Sequence, residues 1–211
     1  MSSQTQAMEH CHKDKAKVVT TVNKSPTKNI FLGIQPELFI DSTNENDNDN
    51  LWIAAAAGDI ELTNVFLCQG AQVNIEHSQM GTTPLMIAAL HGHSEVCKLL
   101  CLYGSDVDYA DDDLQQTALN ACAMHGSHGT LFTLLSCGAS VDKQDINGFT
   151  PLAVACQEGH LACALSLLQA GASLYRKNND GVFPIHLAAQ KDRSALVILL
   201  LEHGCPLELV S

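Results

Sequence analysis

A leucine that returns roughly every 33 residues constrains this chain more than any other feature. Leu85 is matched by Leu119, Leu152 and Ile185 at nearly even steps. The clearest copy runs from Gly81 to Asp108. There Thr83-Pro84 marks a helix start, because proline at the first helical position loses only an amide that had no partner. Leu85, Ala88 and Ala89 give this short helix one small, close-packing face. Gly92-His93 breaks it. Val96, Leu99, Leu100 and Tyr103 then recur at i, i+3, i+4 and i+7, the spacing of one buried stripe on a second helix. Gly104 ends that helix as a left-handed cap would, and Ser105-Asp106-Val107-Asp108 leads into a loop.

The same order of residue types recurs along the chain. Thr150-Pro151-Leu152 and Phe183-Pro184-Ile185 reopen the pattern, and Thr117-Ala118-Leu119 does so imperfectly. Gly70-Ala71, Gly138-Ala139 and Gly171-Ala172 close it, and Leu51 to Asp59 is a further copy without the Thr-Pro. Such a period with helix-turn-helix-loop content is a repeat architecture. These segments resemble the ankyrin repeat, whose Thr-Pro-Leu-His-x-Ala-Ala and Gly-Ala-Asp-Val-Asn stretches stand here in variant form across residues 51–211. The resemblance implies an all-α ankyrin-repeat solenoid of stacked helix-turn-helix units with hairpin-like loops. Its five repeats span approximately 51–78, 79–112, 113–145, 146–178 and 179–211. Each repeat buries its faces only against its neighbours, so about three are needed for stability.

Charge narrows the choice of partner. The net charge is -12. Residues 51–211 hold six Lys or Arg against sixteen acids, whereas residues 1–50 hold five Lys against seven acids. A nucleic-acid ligand needs a basic footprint, which this array does not offer. A basic or apolar protein surface is the better match. Most of the nine cysteines fall inside the helical pattern: Cys97, Cys101, Cys122, Cys156 and Cys163 take Ala- or Val-like positions. Free Cys packs as a small hydrophobe, and this usage suits a reducing compartment. The N-terminus has no apolar signal core, and no run approaches the roughly 18 apolar residues of a membrane span. The expected location is the cytoplasm or nucleus.

Residues 1–50 read as a disordered tail. Lys13, Lys15 and Lys17 could aid nuclear import, although a solvated tail explains them as well. Ile30 to Ile40 (IFLGIQPELFI) stands apart, with seven large apolar residues in polar surroundings. It either covers the open end of repeat 1, as solenoid caps do, or docks in a partner groove. Asn50 is a candidate N-cap for the first helix. Trp52 occupies the place of the family's histidine. Val73-Asn74 is the one copy that keeps the family's Val-Asn pair, and the resemblance makes Asn74 a possible hydroxylation site. The simpler reading is a side chain that bonds its own turn.

Repeats 2 and 3 are joined by a loop one residue longer than the pattern, crowded with Asp106, Asp108, Asp111, Asp112 and Asp113. It lacks the residue order of a calcium loop and reads as an acidic finger that attracts basic partners. Repeat 3 departs most from the pattern. Gln115 replaces the loop glycine, and Gly129, Thr130 and Thr133 fall in the second helix, where Gly costs about 1 kcal/mol relative to Ala. Cys122, His125 and His128 stand three apart, but a closed metal site needs a fourth ligand. No metal or cofactor is expected.

No nucleophile-and-base pairing, phosphate-binding glycine loop or His-Glu-x-x-His is found, so the chain reads as a binding module and not an enzyme. In ankyrin arrays the loop tips and the ends of the first helices line a concave surface that takes the partner. The matching positions here include Met80, Asp113, Leu114, Gln116, Ile146, Asn147 and Phe149 on the loops, with Leu90, His91, Met124 and His125 on the helix ends. Their apolar centre and polar rim have the anatomy of an interface. A scaffold or adaptor is the leading expectation. A stoichiometric inhibitor of a kinase or transcription factor, and a truncated regulatory part of a larger protein, remain as alternatives. Leu196 to Leu201 is an unbroken apolar run in repeat 5, which suggests self-association or further repeats at that end.

Overall fold

The computed structural model describes residues 47–77 and 80–206. Ten helices lie within them, in five successive pairs. These are α1 Asp47–Ala57 with α2 Ile60–Gln69, α3 Pro84–Leu90 with α4 Ser94–Leu102, and α5 Ala118–His125 with α6 His128–Ser136. Then come α7 Pro151–Glu158 with α8 Leu161–Gln169 and α9 Pro184–Gln190 with α10 Ser194–Glu202. The first helices pack in one row, each on the next, and the second helices pack in a parallel row. Among the described residues there is no strand, only an isolated antiparallel bridge between Ala110 and Thr117. This is the all-α solenoid that the repeat implies. Residues 1–46 of the tail, with its lysines and Ile30–Ile40, lie outside the described residues.

Side-chain chemistry explains where the first helices begin. Thr83, Thr117 and Thr150 are extended, and their hydroxyls accept from the amides of Met86, Asn120 and Ala153 at 3.2–3.3 Å. Such a cap satisfies one of the free amides of a helix start. Thr117 keeps its cap although Ala118 replaces proline, which is why α5 forms in the imperfect copy. Phe183 has no hydroxyl, and the Phe183 amide instead donates to Nδ1 of His186 at 3.3 Å. The first helix differs from expectation. It begins at Asp47, so Asn50 lies inside α1 and is not its N-cap. A carboxylate at Asp49 is favoured near the positive end of the helix dipole, which helps the helix start upstream.

The repeated leucine is the centre of the core. Leu51, Leu85, Leu119, Leu152 and Ile185 are all essentially inaccessible, at 0–1% exposure. Val96 and Leu100 are buried as their spacing requires, while Leu99 and Tyr103 are half-buried. Cys97, Cys122, Cys156 and Cys163 lie in the same core. Burial pushes the Cys122 and Cys156 thiols up to about 12, helped by the neighbouring thiols of Cys163 and Cys205, and pushes Cys163 up to about 11. An unfolded thiol titrates near 8.5. Stability from keeping these groups neutral is therefore complete below about pH 8.5, and it is lost as pH rises toward the folded values. Thermal melting followed from pH 8 upward should show a falling Tm, and Cys122→Ala should flatten the fall. A Tm unchanged to pH 11 would contradict this account.

Repeat 3 carries the local defects that its composition announces. Gln115 adopts φ +53°, at the step where Gly81, Gly148 and Gly181 have positive φ. In α6 the Thr133 hydroxyl bonds back to the Gly129 carbonyl at 3.0 Å. Gly129 is exposed, and a Cβ added there meets nothing within 4 Å. Solenoid stability is roughly a sum of repeat and interface contributions, so a poor middle copy opens first. Amide exchange should be faster between Gly126 and Gly138 than in the second helices of repeats 2 and 4. Gly129→Ala should slow it about fivefold, the equivalent of about 1 kcal/mol. A Gly126–Gly138 segment that exchanges slowest of all would refute the reading.

Candidate protein-interaction surface

One recurring side chain ties each loop to the next. The Oδ1 of Asn74 accepts from the Asp106 amide at 2.8 Å, and its Nδ2 donates to the Gly104 carbonyl at 3.5 Å. One repeat on, the carboxylate of Asp108 accepts from the Ser140 amide at 2.7 Å and from the Ser140 hydroxyl. In the following repeat Asp142 accepts from the Ser173 amide at 3.0 Å and pairs with Arg176 at 3.5 Å. Asn74 thus uses both ends of its amide to bond the loop of the next repeat, and not its own turn as the sequence suggested.

At the tips the loops are joined directly. The Leu114 carbonyl accepts from the Ile146 amide at 2.9 Å, and the Asn147 carbonyl accepts from the Asn179 amide at 3.0 Å. The Asn179 side chain also donates to the Ile146 carbonyl at 2.9 Å. Leu114, Ile146 and Asn147 therefore share one hydrogen-bonded row. The apolar residues of the loop tips face water: Leu114 is 47% exposed and Ile146 52%, and Met80, on the preceding loop, 58%. Asp113 and Asn147 are exposed beside them. Two residues of the expected set, Gln116 and Phe149, are half-buried. Phe149 packs against the core, its amide donates to Asp145, and its carbonyl accepts from Asn120. Phe149 is as much a structural residue as a surface one.

Leu90, His91, Met124 and His125 form a second group, at the C-terminal ends of α3 and α5, which pack side by side. All four are exposed. His160 donates through Nε2 to the Met124 carbonyl at 3.1 Å, and His93 does the same to Ala56. These two histidines satisfy the free carbonyls of a preceding helix end. Trp52, in the place of the family's histidine, reaches the next loop by donating to the Thr82 hydroxyl at 3.1 Å, and its ring lies 4.4 Å from that of His77.

The acidic finger borders a groove of about 580 Å³, lined by Glu76, Met80, Asp111, Asp112, Asp113 and Leu114 among others. Glu76 has no periodic signal in the sequence and joins the site only through folding. Burial, a hydrogen bond to Glu76 and the carboxylates of Asp112 and Asp111 push the Tyr109 hydroxyl up, so it stays protonated. Asp111 accepts from the amides of Leu114 and Gln116 and shapes the tip. Asp106 accepts from the Asp108 amide. These aspartates thus brace separate turns. Cys122 is buried and bonded to the Ala89 carbonyl, and His128 to Ser166, so the Cys122–His125–His128 spacing does not form a ligand set. Among the described residues no group of three His, Cys, Asp or Glu is placed to hold a metal ion.

Stacked helix pairs with loops tied in register define a helical repeat solenoid. The family model for ankyrin repeats (three copies) matches residues 51–145 and 119–210. The chain belongs to the ankyrin-repeat family, whose fold is a non-catalytic module for protein–protein interaction. No curated protein matches it. Among the described residues no helix is long and apolar enough to cross a membrane.

Proposed function

We propose that this protein is a scaffold or adaptor that holds another protein on the surface formed by its loop tips and first-helix ends. The observation that carries the reading is the set Met80, Leu114 and Ile146: three large apolar side chains, each about half exposed, the last two on loop tips joined by a backbone hydrogen bond. Rigid apolar centres of this kind are where binding energy concentrates. The carboxylates of Glu76, Asp111, Asp112 and Asp113 beside them favour a partner whose apolar contact is flanked by Lys or Arg. The ion pair between Arg176 and Asp142 engages none of these four carboxylates. Cys97, Cys122, Cys156, Cys163 and Cys205 are thiols in the hydrophobic core, all raised by burial, and serve as packing residues there. The array is not built to take nucleic acid or a bilayer, on the ground of its acidity. The test is capture of partners by the full chain against a chain carrying Leu114→Asp and Ile146→Asp. Proteins retained equally by both, with helicity unchanged, would move the site elsewhere.

A further inference from the structure

Two thiols meet at the joint between repeats 2 and 3. Cys101 lies in the last turn of α4, and Cys137 is the C-cap of α6. Among the second helices of the array, α4 and α6 make the most extensive contact. A side chain at this C-cap faces back onto the preceding second helix. Tyr103, the C-cap of α4, does so: its hydroxyl donates to Asn64 at 3.2 Å and lies 3.4 Å from the thiol of Cys68 on α2. Cys137 is placed the same way, in hydrogen-bonding contact with the thiol of Cys101. No other joint repeats the pair. The equivalent positions hold Leu67 with Tyr103, Leu135 with Ala170, and Leu168 with His203. Both thiols are half-buried, and Ser136 and Gly138 beside Cys137 are exposed, so a small solute can reach the pair. Cys97, Cys122, Cys156 and Cys163, by contrast, are at most 1% exposed.

We propose that Cys101 and Cys137 are a reversible oxidation site, which a peroxide converts to a disulfide that staples repeat 2 to repeat 3. The sulfur of Cys137 attacks one oxygen of hydrogen peroxide and the O–O bond breaks. The thiol proton leaves with the departing hydroxyl as water, and Cys137 becomes a sulfenic acid. The sulfur of Cys101 then attacks that sulfur, its proton leaves with the hydroxyl as a second water, and the S–S bond forms. Two thiols are oxidised and one peroxide is reduced to two waters. The order follows from the surroundings. Burial and the bond to Cys137 push the Cys101 thiol up, and a thiol kept protonated is a poor first nucleophile. Held against Cys137, it resolves the sulfenic acid as a group already in place. The staple ties together the two ends of a stretch that contains the acidic finger, α5 and α6. Such a link restricts the opened chain more than the folded one, so the copy weakened by Gln115, Gly129 and Thr133 is held shut when oxidised. This site does not depend on what the loop tips hold.

The test is treatment of the reduced full chain with hydrogen peroxide, then alkylation of the remaining thiols, digestion and mass spectrometry. Cutting after Lys98 and before Asp106 and Asp113 parts Cys101 from Cys97 and from Cys137. The peptide with Cys101 should be found joined to the one that carries Cys137, with Cys122 on the latter alkylated. Amide exchange between Gly126 and Gly138 should slow at least about tenfold on oxidation, and a dithiol reductant should restore it. Cys137→Ala, which copies Ala170 of the next repeat, should keep its circular dichroism and show neither effect. Recovery of Cys101 and Cys137 unlinked from a folded, peroxide-treated chain overturns the proposal. So does a link from Cys137 to Cys97, a link between two chains on a non-reducing gel, or a link that leaves the exchange unchanged. Exchange slowed equally in Cys137→Ala overturns it too.

Discussion

Gly148→Ala is expected to destabilise the array by about 2–4 kcal/mol, the largest single-residue effect among these predictions. Gly148 has φ +79°, where a Cβ is strained, and it is buried beneath the next loop. An added Cβ would stand 2.6 Å from Oδ1 and 2.8 Å from the backbone nitrogen of Asn179. The side chain can be displaced, but the amide cannot move without breaking its bond to the Asn147 carbonyl. The row that joins Leu114, Ile146 and Asn179 should therefore open, and Tm should fall by roughly 5–15 °C. Gly81 is the control. It has φ +59° but open space around its Cβ, so Gly81→Ala should cost only the backbone strain. Equal losses at the two positions would show that the close approach of the Asn179 loop contributes nothing.

Leu114→Asp combined with Ile146→Asp should weaken partner binding about a thousandfold, if each side chain is a hot spot of about 2 kcal/mol. Both are about half exposed, and the hydrogen bond between them is made by backbone atoms, so the fold should survive. Phe149 is the poorer choice for such a test, because it packs on the core and an acid there would disturb the loop. Single-site titration of a captured partner, with circular dichroism on both chains, reads the effect. A loss below fivefold would place the binding energy outside the loop tips. Raising salt should separately slow association with a basic partner, because the aspartates of the finger act through a screened field.

Much of the architecture could be read from the chain because the repeat makes each copy bury its own markers. Leu85 and its equivalents had to be inside, and Thr83, Thr117 and Thr150 had to cap, since spacing and local hydrogen bonding alone decide those matters. The strain at Gln115 followed from its alignment with three glycines. The extra apolar character of repeat 5 was also visible, as the run Leu196 to Leu201. Other features depended on residues meeting across repeats. Glu76 lines the groove because two loops stand side by side, and nothing in its own segment marks it. Phe149 and Leu114 look alike in sequence, yet Phe149, next to the Thr150 cap, packs on the core while Leu114, at the tip of its turn, is exposed. Cys101 and Cys137 are ordinary small residues singly. Only the packing of α6 on α4 brings the two thiols into contact.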